Sequence, residues 1–426
     1  METVETVETV ETHLHDSAAH LTTAQWEDLY GSGYADRGHG YALFRERVEA
    51  GPSALVTAAD GTGWCGALHG AVTTPASALF SHPWKLLTAE QLRRPEEDGG
   101  QQACETHAAL LRTALGESAG PDGLAVPDAA ALTAVLGEAV VFRGFDSTEA
   151  GLRDGLDAPA RRRTLRALLA HTQDAVRDGL AGAVCLPYVR PQDTDLRAVL
   201  AELGFRSAVL TGVSDFDLGG VSSYATYLEA LPSRRRRMYR KEEQAVADSA
   251  LSLGVWPLDG NVERVVALEA RNIAKHGGLP DREALIAARS AMAGLLGDHL
   301  RVPVAVRTGA GAGDDELAAC GIHMADDDSY CVLMYGADES VSDAGPVYPC
   351  LTFYEPLRHA ADHGLRTVRL GFEAFSAKLR RGARLSRRET WLWTPDADRL
   401  AALHRVMEFL SARTSTHFER LTGQTA

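Results

Sequence analysis

What this chain of 426 residues lacks sets its first limits. No apolar run reaches the roughly 18 residues of a membrane-spanning helix, so no transmembrane segment is expected. Six cysteines, Cys65, Cys104, Cys185, Cys320, Cys331 and Cys350, are scattered without any CxxC spacing. They are expected as reduced, mostly buried thiols, which sets aside a disulfide scaffold and a cysteine-based zinc site. No GxSxG elbow, P-loop or HExxH motif is present, and no dinucleotide fingerprint sits in a strand–helix context, so no metal ligand set is assigned. The opening METVETVETVETHLHD is an acidic triplet repeat with no basic or apolar stretch. It does not resemble a signal peptide, and residues 1–21 are expected as an unstructured acidic tail on a cytoplasmic protein.

What is present is a globular composition, with 45% hydrophobic and 24% charged residues over a length that suggests two domains. The net charge of −15 argues against a general nucleic-acid binder, and no DNA partner is expected, yet the charge is unevenly spread. Residues 1–216 hold 17 basic and 30 acidic side chains, whereas residues 217–426 hold 26 and 28. Lysine is scarce, four against 39 arginines. Two of the four fall in the basic clusters of the second half, Arg234–Lys241 and Lys378–Arg388. Function is therefore sought in the second half.

The pattern of elements repeats. In the first half, 53–60 and 63–72 read as a hairpin and 138–145 as a strand. Pro- and Gly-rich loops are expected around 95–103 and 117–128. Asp157 starts a helix with apolar residues at helical spacing, followed by strand 181–187, a helix from Asp193 and strand 207–218. In the second half, helix 233–250 leads to the strand SLGVWPL and to helices over 261–275 and 282–297. Strands 301–307, 316–325 and 329–337 form a meander with a Gly/Ala-rich turn at 308–313. Then come a helix over 350–363, strand 367–372, a short helix around Lys378, strand 389–393 and a last helix from 396 to 419. A meander followed by helix, strand, helix, strand, met twice, predicts an internal duplication of one mixed α/β unit, with domains at 22–218 and 219–426.

The second-half order resembles the GNAT acyltransferase fold. The segments LPSRRRRMYRKEEQAVADS (231–249) and HAADHGLRTVRLGFEAFSAKLRRG (359–382) resemble the Fem-type branch, which includes peptidoglycan biosynthesis and recognition proteins built from two GNAT-like domains. The recurrent helix–Gly–strand–Gly–Lys–Arg–Gly pattern falls on Gly364, Gly371, Lys378, Arg381 and Gly382. A Glu-His pair that often precedes the lysine is replaced by Ser376–Ala377. The resemblance implies amide formation between an activated acyl or aminoacyl group and an amine, in cell-wall or secondary-metabolite biosynthesis. It implies no tightly bound cofactor, and aminoacyl-tRNA or acyl-CoA as donor substrate.

Such a transfer needs the amine deprotonated, the substrates aligned, and the oxyanion of the tetrahedral intermediate stabilised. Lys378, fixed after a strand end, is the first candidate for that charge or for a donor phosphate. Glu373, at the same strand end, and Tyr335 are candidates for proton transfer. Asp338, Tyr354 and His323 lie on neighbouring segments. Arg236, Arg237, Arg240, Lys241 and Arg381 are the candidates for donor phosphates, since guanidinium forks suit them. Four consecutive arginines point all around a helix, so Arg237 and Lys241, one turn apart, are the pair that can share one ligand.

Acyl-CoA-dependent GNAT enzymes usually carry [QR]-x-x-G-x-[GA], whose backbone N–H groups cradle the pyrophosphate. Here the match, Arg37-Gly38-His39-Gly40-Tyr41-Ala42, precedes any strand that could position it. The corresponding place in the second half reads GADESVSDAGPVYPC, which is acidic. Aminoacyl-tRNA is therefore expected ahead of acyl-CoA, with a peptide or small-molecule amine as acceptor. A non-catalytic GNAT-like module binding a phosphorylated or peptide ligand is the alternative.

Overall fold

A computed structural model describes residues 10–49, 51–75, 82–88, 100–116, 126–307, 316–338, 346–372 and 374–423. The chain divides into two compact units, and neither is a single stretch of sequence. The first holds 1–32, 48–212 and 387–426, the second 33–47 and 213–386. The units thus depart from a linear division at 218/219, because residues 387–426 pack with the first half.

The first unit contains β1 (Glu11–His15), β2 (Ser53–Asp60), β3 (Gly63–Thr73), β4 (Ala139–Phe142), the two-residue β5 (Gly151–Leu152) and β6 (Ala183–Val189). Strand β7 (Arg206–Asp217) carries the chain into the second unit, which holds β8 (Leu251–Trp256), β9 (Leu300–Arg307), β10 (Glu316–Ala325), β11 (Ser329–Ala337) and β12 (Thr367–Gly371). Strand β13 (Arg384–Trp393) carries it back.

The two units share one topology. In the first, β1–β2–β3–β4 run antiparallel, β4 pairs β6 in parallel, and β13 closes antiparallel on β6. In the second, β8–β9–β10–β11 run antiparallel, β11 pairs β12 in parallel, and β7 closes antiparallel on β12. Each parallel step needs a crossover, and a helix-bearing segment supplies it. The duplication expected from element order is therefore present in the pairing. The last strand of each unit comes from the other half of the sequence.

The expected tail begins in structure sooner than 21. Residues 1–9 lie outside the described residues, but Glu11–His15 adds to β2 in register from Glu11 opposite Ala59, and Ala18 and Leu21 are buried. The expected loops around 95–103 and 117–128 and the turn at 308–313 fall largely outside the described residues. Where the first of them resumes, Gly100–Leu115 is a helix.

Within the first unit, the helix Ala158–Arg177, capped by Asp157, buries Leu165, Leu168, Leu169 and Val176. In the second unit, Val262–Lys275 buries Val265, Val266 and Leu268. It approaches β11 at Gly336, where a Cβ would sit 2.7 Å from the Leu268 backbone. Glycine is required there by contact alone. The core on which the site rests contains Tyr239, Val246, Leu251, Tyr330, Phe353, Tyr354, Leu357 and Val368.

Candidate active site of the second unit

Strands β11 and β12 pair only from Ser329 opposite Thr367 to Cys331 opposite Arg369. Beyond that the ladder stops, although β11 continues to Ala337. An extra residue in β11 at Leu333, opposite Ile322/His323, and another in β12 at Leu370, beside Gly371 at φ +65°, mark the end of the ladder. The ladder thus leaves a gap: the edge of β11 from Val332 to Ala337 pairs with no residue of β12, which itself ends at Gly371. An extended, amide-bearing chain can add to such an edge through main-chain hydrogen bonds.

Lys378 sits where that gap opens. The chain leaves β12, passes through Ala374 in the left-handed region (φ 45°), and enters the helix Phe375–Arg381. Lys378 is buried, at 5% exposure. Its Nζ donates to the carbonyls of Leu370 at 2.8 Å, Gly371 at 3.2 Å and Phe372 at 2.6 Å. An ammonium has three N–H donors, so all three are engaged by the end of β12. The ammonium that the sequence offered for an oxyanion or phosphate is held at one wall of the gap by these three carbonyls. Glu373 lies outside the described residues.

Arg381 is also spoken for. Its Nη2 donates to Glu242 at 3.2 and 3.0 Å and its Nη1 to the Ala377 carbonyl at 3.3 Å, while its guanidinium lies 4.9 Å over Phe353. The Tyr239 hydroxyl donates to the Arg381 carbonyl at 2.8 Å, and the Tyr354 hydroxyl donates to Glu242. Burial pushes both phenols far up, so they remain protonated donors. The arginine is thus paired with Glu242, while its buried Nε has no hydrogen-bond partner.

Tyr335 stands on the stretch of β11 that pairs with β10 but not with β12, edge-on to Tyr348 at 4.9 Å. Burial raises its phenol, so the hydroxyl stays protonated. Asp338 is paired with Arg271.

His323 is fully buried, and its Nδ1 lies 3.0 Å from the Tyr330 hydroxyl. That hydroxyl donates to Glu355 at 2.6 Å, and Arg301 donates to the other Glu355 oxygen at 3.3 Å. The single phenolic proton is therefore on the glutamate side, which assigns the histidine proton to Nδ1. The bare Nε2 has no partner and points at Gly321, where a Cβ would approach within 2.4 Å. Neither Glu355 nor Tyr330 stood out in the sequence, since both lie in apolar-looking runs.

Burial lowers His323 to about 3. The unfolded chain takes up its proton near pH 6.5, so the stabilisation is complete above that and is lost as pH falls towards 3. The urea midpoint is expected to drop between pH 7 and pH 4, and to drop less in His323→Gln. An equal drop in both proteins would contradict the assignment.

The basic helix Ser233–Ala247 presents its cations unequally. Arg235 donates to the Arg380 carbonyl at 3.3 Å and Arg236 to the Glu229 carbonyl at 3.0 Å. Arg234, Arg237 and Lys241 are exposed and spaced to share one face. Arg240 is exposed on a neighbouring face. Near the N-terminus, Arg37 of the glycine-containing match stacks on Tyr34 at 3.4 Å. Among the described residues no cluster of three or more His, Cys, Asp or Glu could hold a metal, and no helix is long and apolar enough to cross a membrane.

A parallel pair that splays within an otherwise antiparallel sheet, with a helix-bearing crossover between its strands, defines a GNAT acyltransferase-superfamily domain. Residues 232–379 match the family model described as acetyltransferase (GNAT) domain. Residues 232–379 thus match a GNAT domain, both units have a GNAT-like fold, and the fold resembles that of the Fem-type branch. The crystal structure of FemX aligns with 89% of this chain and 96% of its own at 9% identity, with a TM-score of 0.55. A tandem GNAT protein from the clavulanic acid biosynthesis pathway covers 91% and 98% at 16% identity and TM-score 0.45. The C-terminal domain of a lysylphosphatidylglycerol synthetase described as putative, from Agrobacterium fabrum, covers 62% and 81% at 13% identity and TM-score 0.41. No curated protein sequence matches this chain.

Proposed function

We propose that the second unit forms an amide bond by transferring an activated acyl or aminoacyl group to an amine. The observation that carries this reading is the gap between β11 and β12, held open on one side by the Lys378 clamp. A donor lying along Val332–Ala337 has its carbonyl fixed by the strand edge, and alignment alone supplies much of such a reaction's barrier reduction. Lys378 acts as a positioning residue, because its protons are committed to backbone carbonyls. Tyr335, protonated on the stretch of β11 that lacks a β12 partner, is the proton donor for the departing oxygen.

Aminoacyl-tRNA is the favoured donor. Arg237 and Lys241 give an exposed cationic face on a helix whose first turn carries no acidic residue. The segment that follows β11 is acidic, unlike a loop that cradles the CoA pyrophosphate. Phosphate contacts release counterions, so turnover with a charged tRNA should fall steeply as salt rises. Replacing Arg237 and Lys241 together by Ser is expected to reduce the slope of log rate against log salt by about one to two. An unchanged slope would remove this face from donor binding. Turnover with acyl-CoA alone would establish the second reading.

A further inference from the structure

A cavity of about 790 Å³ lies within the second unit, between the helix Ser233–Ala247, the edge strand β8 and the segment Cys350–Arg358. Its size falls in the range of small-molecule sites, roughly 300–1,000 Å³. Strand β8 reads LSLGVW, so Leu251, Leu253 and Val255 alternate onto one side. Leu251 is buried against the core, whereas Leu253 and Val255 are 46% and 42% exposed where they line the cavity. Val246 and Leu351 complete an apolar strip.

The lining holds two arginines, Arg240 and Arg358, and two glutamates, Glu243 and Glu355. Glu243 is bound by Arg358 and by the Tyr224 hydroxyl at 3.1 Å. Glu355 is bound by Arg301 at 3.3 Å and by Tyr330 at 2.6 Å. Each carboxylate therefore already has its own cation. Arg240, which also lines the cavity, has no ion-pair partner among the described residues. Because Arg301, outside the lining, pairs Glu355, the Arg240 guanidinium stays outside the ion pairs beside exposed aliphatic side chains. An ammonium ligand would find both carboxylates neutralised and would meet Arg240 as a like charge. A carboxylate or phosphate would find a guanidinium fork with donors to spare.

We infer that this cavity binds a single-chain anionic amphiphile, its aliphatic chain along Leu253 and Val255 and its anionic head at Arg240. The site goes beyond the transfer reaction and does not depend on it, since binding needs no acyl donor.

Calorimetric titration of the full chain with decanoate tests this directly, with decylammonium as the opposite-charge probe. Saturable one-to-one binding of decanoate is expected, with decylammonium at least about tenfold weaker, because a charge-assisted pair is replaced by a repulsive one. Arg240→Glu and Leu253→Asp are each expected to weaken decanoate by at least about tenfold. Both positions are exposed, and circular dichroism confirms that each variant is folded. Absence of saturable decanoate binding, equal binding of decylammonium, or undiminished affinity in both variants would overturn the inference. Amide-forming turnover, measured separately, stands or falls on its own.

Discussion

Lys378→Met is expected to lose stability and turnover together. The substitution keeps the length of the side chain but removes a buried ammonium that serves three carbonyls. A buried acceptor left without its donor costs about 1–3 kcal/mol. Some relaxation is available at Phe372, which is partly exposed, so a total loss of about 3 kcal/mol is expected. The end of β12 is one wall of the gap, and displacing a reacting group by an ångström can cost about a hundredfold in rate. Turnover per folded molecule should therefore fall at least about tenfold. Urea midpoints and turnover corrected for the folded fraction check both parts. A Lys378→Met protein as stable and active as the parent would show that the clamp has no consequence.

Much of this architecture was legible in the sequence because local signals carried it. Alternating apolar runs bounded by turns gave the hairpin at 53–72 and the meander at 301–337, and the chain folds so. Helix starts at Asp157 and after Pro232 were readable from capping chemistry and composition. Long-range pairing was not readable. Nothing near Trp391 announces that it lies opposite Leu186, or that Thr367 lies opposite Asp217. The alternation within a strand says which residues face the core but not which strand lies beside it. The strands β7 and β13 therefore exchange units without any local mark, and the division of the chain differs from a linear one for that reason.

The site divides the same way. The glycines and the lysine of the Fem-like pattern mark a real turn, for Gly371 and Gly382 both have positive φ and Lys378 lies between them. The resemblance located the lysine, but its occupation depends on three carbonyls that any residue type could supply. The partner of Arg381, Glu242, is 139 residues away in the sequence, so no local signal announces the pair. The Glu355–Tyr330–His323 chain was hidden by the same distance effect. Side chains on three elements meet only after the sheet has formed.

Amide formation is tested most directly by following a label from donor to acceptor. The protein is incubated with a mixture of tRNAs charged with radiolabelled amino acids and an amine-rich small-molecule extract, and the product is treated with mild base. Aminoacyl esters of tRNA are cleaved by base, whereas amides survive. The account predicts base-stable label in a small molecule, abolished by ribonuclease added beforehand and lowered at least about tenfold in Lys378→Met. Base-stable label formed from acyl-CoA and indifferent to ribonuclease would retain amide transfer but replace the donor. Label that stays entirely base-labile, with acyl-CoA inactive as well, would contradict the central claim and leave a GNAT-like binding module.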